Sequence, residues 1–304
     1  MNTDKDITEL IDCFLADQDV SSQSRKQYDV IICIFFTWIE NSSKDWKNLK
    51  RSDIIQYKEK LYKENKSELT IANYVIVIRK FFSWCKLNSF YQNIAEGIKT
   101  PKKYRGFKKL PLSIQQVKKL ISVIPKDTLI GKRDLAIINL MLRSGIREIE
   151  VVRINIKDIS ELYNNRVIFV QRKGKITKEE PIALTDKTWD KIHSYLIIRR
   201  DWQEHHPLFI SHNNHQSNGR LSSRTISKLV KYYLRLAGID DPKITAHSLR
   251  HTAGTIALEQ GASEYQTQML LGHANFATTQ IYTRAMEMKM KMKNNAGLLL
   301  DKCF

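Results

Sequence analysis

Six polar side chains in the second half of the chain stand where an ordinary folding core has no use for them. Arg147 follows an apolar run in RSGIREIEVV, and Lys173 lies in the polar turn RKGKITK. His247 and Arg250 are three residues apart, hence on one face of a helix start. His273 follows Gly272 at the end of an apolar turn, and Tyr282 comes nine residues later. Two guanidiniums can grip an oxyanion through bidentate, charge-assisted bonds with no proton to lose near neutral pH. A phenol with a pKa near 10 is a nucleophile once something removes its proton. Taken singly, each residue also has a plainer reading. Arg147 could make a surface ion pair, Lys173 a solvated hairpin tip, His247 an ordinary helix start and Tyr282 a half-buried aromatic.

Together these residues resemble one family. The stretch HSLRHTAGTIALEQGASEYQTQMLLGHANFATTQIYTRA, residues 247–285, is similar to the C-terminal signature of the tyrosine recombinases, of the phage integrase and XerC/XerD type. That signature is H-x-L-R-H-T, then L-L-G-H, then a tyrosine nine residues beyond that histidine. Upstream, RSGIREIEV resembles the family's T-G-L-R-x-x-E-L box, with Ser144 in place of the threonine. RKGKITKEEPIAL resembles its G-K-G-x-K-x-R-x-V-P-L hairpin. Arg172 replaces the first glycine there, the final arginine is missing, and Lys175 and Lys178 lie near Lys173. The resemblance covers essentially the whole chain, the N-terminal half by architecture alone.

Carried over position by position, the resemblance implies catalytic roles for Arg147, Lys173, His247, Arg250, His273 and Tyr282, the last as nucleophile. A phosphodiester resists attack because its negative charge must grow as a fifth oxygen approaches. Arg147 and Arg250 would take up that charge, and preorganised donors of this kind contribute several kcal/mol each. His247 is a reasonable base by its intrinsic pKa, and Lys173 can protonate the departing 5′ oxygen. His273 would donate to a phosphate oxygen, while His251, one turn beyond His247, reads as an orienting residue. Attack by Tyr282 leaves a 3′-phosphotyrosyl ester that keeps roughly the energy of the broken bond, so rejoining needs no ATP. No metal is expected, since arginine and lysine supply the positive charge. No GxxxxGK[ST] loop or two-metal carboxylate cluster occurs. His205, His206, His212 and His215 crowd into EHHPLFISHNNH with no usual zinc spacing. No cofactor is expected.

The elements that must position these groups read as a mainly α fold: a small N-terminal helical domain, then an α-rich domain with a small antiparallel β-sheet, which the resemblance implies are a core-binding (SAM-like) domain and a catalytic domain. Four N-terminal helices carry apolar faces at helical spacing. They are seen at Ile7–Leu15, from Ser22–Ser24 through Tyr28 and Ile39, after a Ser52 cap, and after a Ser67 cap. Residues 99–109, KTPKKYRGFKK, hold six basic residues and no acid, which predicts an exposed linker. Beyond it, Ser113 caps a helix, a strongly apolar helix runs from about Asp134 to Ser144, and RVIFVQ and EEPIAL flank a turn as two strands. Helices follow around Trp189–Ile198, at Ser222–Leu236, at Ser248–Glu259 and at 264–271. The expected organisation is 1–98 core-binding domain, 99–110 basic linker, 111–287 catalytic domain and 288–304 tail.

A length of 304 residues suits about two domains. Fifty Lys and Arg against 32 Asp and Glu, a net charge of +18, favour a polyanionic partner. No apolar run approaches the ~20 residues of a spanning helix, and the start MNTDKDITEL lacks a secretory pattern. Membranes are therefore not expected as partners. Cys13, Cys33, Cys85 and Cys303 form no CxxC pair, and the first three read as buried free thiols in a reducing cytosol. Residues 1–105 carry 18 basic and 14 acidic side chains, the remainder 32 and 18, so the linker and second domain should dominate attraction to DNA. Candidate DNA contacts are Arg25, Lys26, Thr70, Asn73, Arg79 and Lys80 on the N-terminal helices. Lys102, Lys103, Arg105, Lys108 and Lys109 in the linker would strap phosphates.

The resemblance thus implies a site-specific DNA recombinase acting through a 3′-phosphotyrosyl intermediate and a Holliday junction. Its partners would be double-stranded core recombination sites and a homotetramer, or a heterotetramer with a paralogue. The expected location is the cytoplasm, associated with a nucleoid of prokaryotic type, and a mobile element is an expected setting. The tail MEMKMKMKNNAGLLLDKCF could fray, but in the resembling family a terminal segment docks on a neighbouring protomer, with Leu298, Leu299, Leu300 and Phe304 here as the plug. Two rivals remain open: a type IB topoisomerase-like enzyme that relaxes DNA as a monomer, and a non-catalytic DNA-binding regulator.

Overall fold

The computed structural model describes residues 6–101, 109–172, 174–200, 203–212, 219–273 and 275–293. The chain divides into two compact units, 1–105 and 106–304. Among the described residues the architecture is mainly α, with twelve α-helices and one three-stranded antiparallel sheet.

The first unit holds α1 (Ile7–Ala16), α2 (Ser22–Asn41), α3 (Arg51–Lys63) and α4 (Glu68–Leu87). Ser21 and Ser67 cap α2 and α4 through side-chain oxygens that accept from backbone N–H groups three residues on. Ser52 does not cap α3. The helix starts one residue earlier, and the Asp53 carboxylate accepts from the Lys50 N–H at 2.7 Å, a stronger acceptor in the same first turn. The core is aromatic: Phe14 meets Phe81 edge-on at 5.3 Å, and Phe35 meets Tyr57 at 5.0 Å, geometries that satisfy the ring quadrupoles. Cys85 is buried there and Cys13 is partly buried. Cys33, expected to be buried, is exposed because it lies on the solvent face of α2, where its Sγ donates to Asp29.

The second unit begins with α5 (Ile114–Ser122) and α6 (Leu129–Ser144). Helix α6 is apolar on most of its circumference and is buried on most of it, as a central helix must be. It packs on α8 (Asp186–Arg199) and α10 (Ala246–Glu259). Side chains such as Ile137, Ile138 and Leu140, fully buried here, contribute roughly 1.5–3 kcal/mol each. After α6 comes a short α7 (Glu148–Arg153), not foreseen from sequence because six residues are too few for a helical period to show. The sheet has strands β1 (Ile159–Leu162), β2 (Asn165–Val170) and β3 (Glu180–Ala183) in that spatial order. Strands β2 and β3 are the two expected. Strand β1 was not, since only four residues pair, Ile159 with Ile168 through Leu162 with Asn165.

Helices α9 (Ser223–Leu236), α11 (Glu264–Leu271) and α12 (Phe276–Lys293) complete the unit. Helix α10 starts two residues before the expected Ser248, whose Oγ accepts from the Thr245 N–H inside the first turn. Helix α12 continues past 288, so the expected tail boundary falls within a helix; residues 294–304 lie outside the described residues. Among the described residues, no helix is long and apolar enough to cross a membrane.

Candidate active site

Two helix ends make the floor of the site. Helices α6 and α11 both terminate in left-handed glycines, Gly145 at φ 60° and Gly272 at φ 55°. Glycine is needed twice over at each, since a Cβ on Gly145 would lie 2.6 Å from Leu271 Cδ2 and one on Gly272 2.4 Å from the Arg172 guanidinium. Helix C-termini leave carbonyls unpaired and carry partial negative charge. Arg250, on α10 and 2% exposed, uses both: it donates to Gly145 O at 2.5 Å and to Leu271 O at 2.6 Å. Those bonds take two of the five guanidinium N–H groups and fix the plane of the rest. Burial, with Arg147 nearby, lowers its pKa to about 10, so it remains a cation at neutral pH.

Arg147 stands at the N-terminus of α7, one residue beyond the Gly145–Ile146 turn. Its Nη1 donates to Glu150 Oε1 at 2.8 Å, and its backbone N–H to Glu150 Oε2 at 3.0 Å. Glu150 is 0% exposed. It is bound from the other side by Arg172 Nη1 at 3.1 Å, while Arg172 Nη2 reaches Glu180 at 2.8 Å. One buried carboxylate thus holds two guanidiniums, which solves the cost of burying any of them alone. Arg172, which departs from the family's glycine, was not singled out for a role from sequence. Glu150 stands at the E of the T-G-L-R-x-x-E-L box, but no role was assigned to it from sequence.

Tyr282 lies on α12, which packs against α10 and α11. It is 3% exposed, more buried than the half-buried aromatic of the plain reading, in a small apolar cluster with Leu258 and Leu271. Gly254 on α10 makes the space: a Cβ there would meet Tyr282 Cε1 and Leu271 Cδ1, each at 2.9 Å. The phenol oxygen lies 2.9 Å from His251 Nδ1. His247, expected to be the base, instead sets its ring perpendicular to that of His251 with centroids 4.8 Å apart, and is exposed. His273 follows Gly272 and lies 6.1 Å from the Tyr282 ring, its Nδ1 2.9 Å from Thr279 Oγ1.

Electrostatics ties the group into one site. Burial raises the Tyr282 pKa to about 12, with Arg250 and Arg147 pulling the other way. Burial, then His247 and Arg250, lowers His251 to about 4. Burial, then Arg250, Arg147 and Arg172, lowers His273 to about 3. His247 is lowered by desolvation, opposed by Glu148 and reinforced by Arg250 and Arg147. Neutral imidazoles thus stand beside the buried Arg250 guanidinium, which donates to two backbone carbonyls, and beside Arg147, which Glu150 holds.

Of the remaining sequence candidates, Lys173, Lys102, Lys103, Arg105 and Lys108 lie outside the described residues. Near Lys173 in the hairpin, Lys178 is paired with Asp158 and Lys175 is exposed. Lys109 donates to Pro242 O. In the first unit Arg25, Lys26, Arg79 and Lys80 are exposed, and Thr70 and Asn73 partly so. Lys80 Nζ sits 5.6 Å over the Tyr28 ring, which puts the α2 and α4 candidates on adjoining faces. His205 and His206 meet edge to face with ring centroids 4.8 Å apart, and His212 is 3.0 Å from Tyr195 Oη; His215 is outside the described residues. Among the described residues, no three His, Cys, Asp or Glu side chains are arranged to hold a metal ion.

A buried arginine and a half-buried one beside a tyrosine on a later helix, in an α-rich unit that follows a small helical one in the chain, have the chemistry of a strand-cutting class of protein. Residues 111–288 match the phage integrase family, and residues 7–88 match the phage integrase N-terminal SAM-like domain. The chain belongs to the phage integrase family. It is 30% identical over 297 residues to the tyrosine recombinase XerD of Listeria innocua, covering 94% of this chain and 97% of that protein. It is 33% identical over 249 residues to the tyrosine recombinase XerA of Pyrococcus furiosus, covering 82% and 81%. In fold it is similar to XerH site-specific recombinase, crystallised with its palindromic difH substrate as a post-cleavage complex. The TM-score is 0.75 at 19% identity, over 94% of this chain and 83% of that one.

Proposed function

We propose that the protein is a site-specific DNA recombinase that cuts and rejoins strands through Tyr282. The observation that carries this reading is the convergence of Arg147, Arg250, His273 and Tyr282 to within electrostatic reach of one another, although they are spread over 136 positions of sequence. The Arg250 N–H groups not used by Gly145 and Leu271, together with Arg147, bind the non-bridging oxygens of a scissile phosphate. They stabilise the charge that grows as the phenol oxygen attacks phosphorus. His247, open at the mouth of the site, and His273 donate to the same oxygens. Lys173 protonates the 5′ oxygen as its bond to phosphorus breaks, and the product is a 3′-phosphotyrosyl ester with a free 5′ hydroxyl. Attack by a 5′ hydroxyl from a second duplex reverses the step, which exchanges strands through a Holliday junction without ATP or a metal.

The partner is double-stranded DNA, taken up by the linker lysines and by Arg25, Lys26, Thr70, Asn73, Arg79 and Lys80. The working assembly is a tetramer of this chain, or of this chain with a paralogue, with the tail 288–304 docked on a neighbouring copy. A half-site DNA nicked beside the cleavage point tests the reading. Wild type should leave a denaturation-resistant protein–DNA adduct, and Tyr282→Phe none. If wild type binds the DNA and forms no adduct, the reading is wrong. A two-site plasmid that is resolved or inverted distinguishes recombination from simple relaxation.

A further inference from the structure

We propose that His251, through Nδ1, takes the proton from Tyr282 as the phenol attacks. The inference rests on the reading of Tyr282 as nucleophile. Three observations carry it. The phenol oxygen is 2.9 Å from His251 Nδ1, at hydrogen-bond distance. His247 is exposed and sets its ring perpendicular to that of His251, with centroids 4.8 Å apart. Gly254, one residue short of a helical turn beyond His251, leaves no room for the Tyr282 ring to shift toward α10: a Cβ would already sit 2.9 Å from Cε1. Tyrosine and imidazole are thus held in one geometry by the packing of α10 against α12.

The chemistry balances without further reagents. The phenol O–H bond breaks and its proton goes to Nδ1, while the phenol oxygen forms its bond to phosphorus. The bond from phosphorus to the 5′ oxygen breaks, and that oxygen is protonated separately. On rejoining, the 5′ hydroxyl attacks phosphorus and the departing phenolate recovers its proton from Nδ1. In the free protein burial, then the charges of His247 and Arg250, keep His251 neutral, so it is ready to accept. A bound phosphate offsets those positive charges and makes the protonated imidazole easier to hold. His247 then serves as a wall for the His251 ring on one side and a donor to phosphate on the other.

Single-turnover cleavage of the nicked half-site tests this, with His251→Asn compared with wild type. Asparagine offers a polar atom near the position of Nδ1 but cannot take a proton. Cleavage should slow by roughly 10²–10⁴-fold, with DNA affinity unchanged. Replacing Tyr282 by a more acidic difluorotyrosine should then recover much of the loss in His251→Asn, and little of it in Arg250→Lys. Cleavage by His251→Asn within threefold of wild type, or fluorotyrosine rescue of His247→Asn but not of His251→Asn, overturns the proposal. So does a nitrogen-15 spectrum of the folded wild-type protein with His251 protonated at Nδ1, a readout that needs no variant at 251. A wild type that forms no adduct refutes instead the reading of Tyr282.

Discussion

Glu150→Gln is the change that most directly probes how the two guanidiniums are held. The wild-type carboxylate accepts from Arg147 Nη1, the Arg147 N–H and Arg172 Nη1 at 2.8, 3.0 and 3.1 Å, with no exposure to water. Glutamine keeps the volume but has one acceptor oxygen, and its NH₂ faces an arginine donor. Breaking a buried pair from one side costs about 3–5 kcal/mol because an uncompensated charge is left behind. Arg172 keeps Glu180, itself half in solvent, so the lower end is expected. For a unit of this size that is a fall of roughly 10 °C in melting temperature, at about 2–4 °C per kcal/mol. Arg147 also loses its anchor, and misplacement of about 1 Å costs about 10²-fold in adduct formation. Calorimetry and the half-site cleavage assay measure both. In Glu150→Gln with Arg172→Met, part of the stability should return, since the second cation is gone, and the coupling should exceed about 0.5 kcal/mol. A melting temperature within 2 °C of wild type, with unchanged cleavage, would refute the idea that Glu150 holds the arginines.

Other outcomes follow from the same geometry. Gly254→Ala should cost about 1–3 kcal/mol by overpacking and suppress cleavage more than DNA binding, because the added Cβ meets the Tyr282 ring; a gel-shift and adduct assay on one preparation separates the two. Arg250→Lys should lower cleavage by about 10²–10³-fold, since one ammonium cannot reproduce the planar fork that bridges Gly145 O and Leu271 O and still meets phosphate; full activity would rule out that role. Acid should destabilise the protein through His273. Its folded pKa, about 3, lies below the unfolded value near 6.5, so the unfolded chain binds the proton first, and stability present above pH 6.5 is lost as pH falls toward 3. Urea unfolding at pH 7, 6 and 5 should show up to about 1.4 kcal/mol lost per unit from this group, reduced in His273→Asn; equal pH slopes in the two proteins would contradict it.

Much of the molecule was legible one residue at a time. Helices announced themselves where a serine cap preceded an apolar period, as at Ser67 and Ser113, because both signals are local. Strand β1 and helix α7 were missed because four and six residues carry too little periodicity to separate from a loop. The Ser52 cap lost to Asp53 because a charged acceptor in the first turn outcompetes a hydroxyl.

The candidate site divides the same way. The resemblance carried by HSLRHT, LLGH and the tyrosine nine positions on pointed from sequence alone to the family to which the chain belongs, and to candidate reactive side chains. Their partners came only with the folded chain. Arg250 finds its carbonyls 105 and 21 positions away, Arg172 finds Glu150 across 22, and His251 finds Tyr282 across 31. Sequence spacing orients neighbours on one helix, so it could point to His247 and Arg250 as a pair. It could not say which imidazole faces the phenol, since that depends on how α10 and α12 pack and on the space a missing Cβ at Gly254 leaves between them.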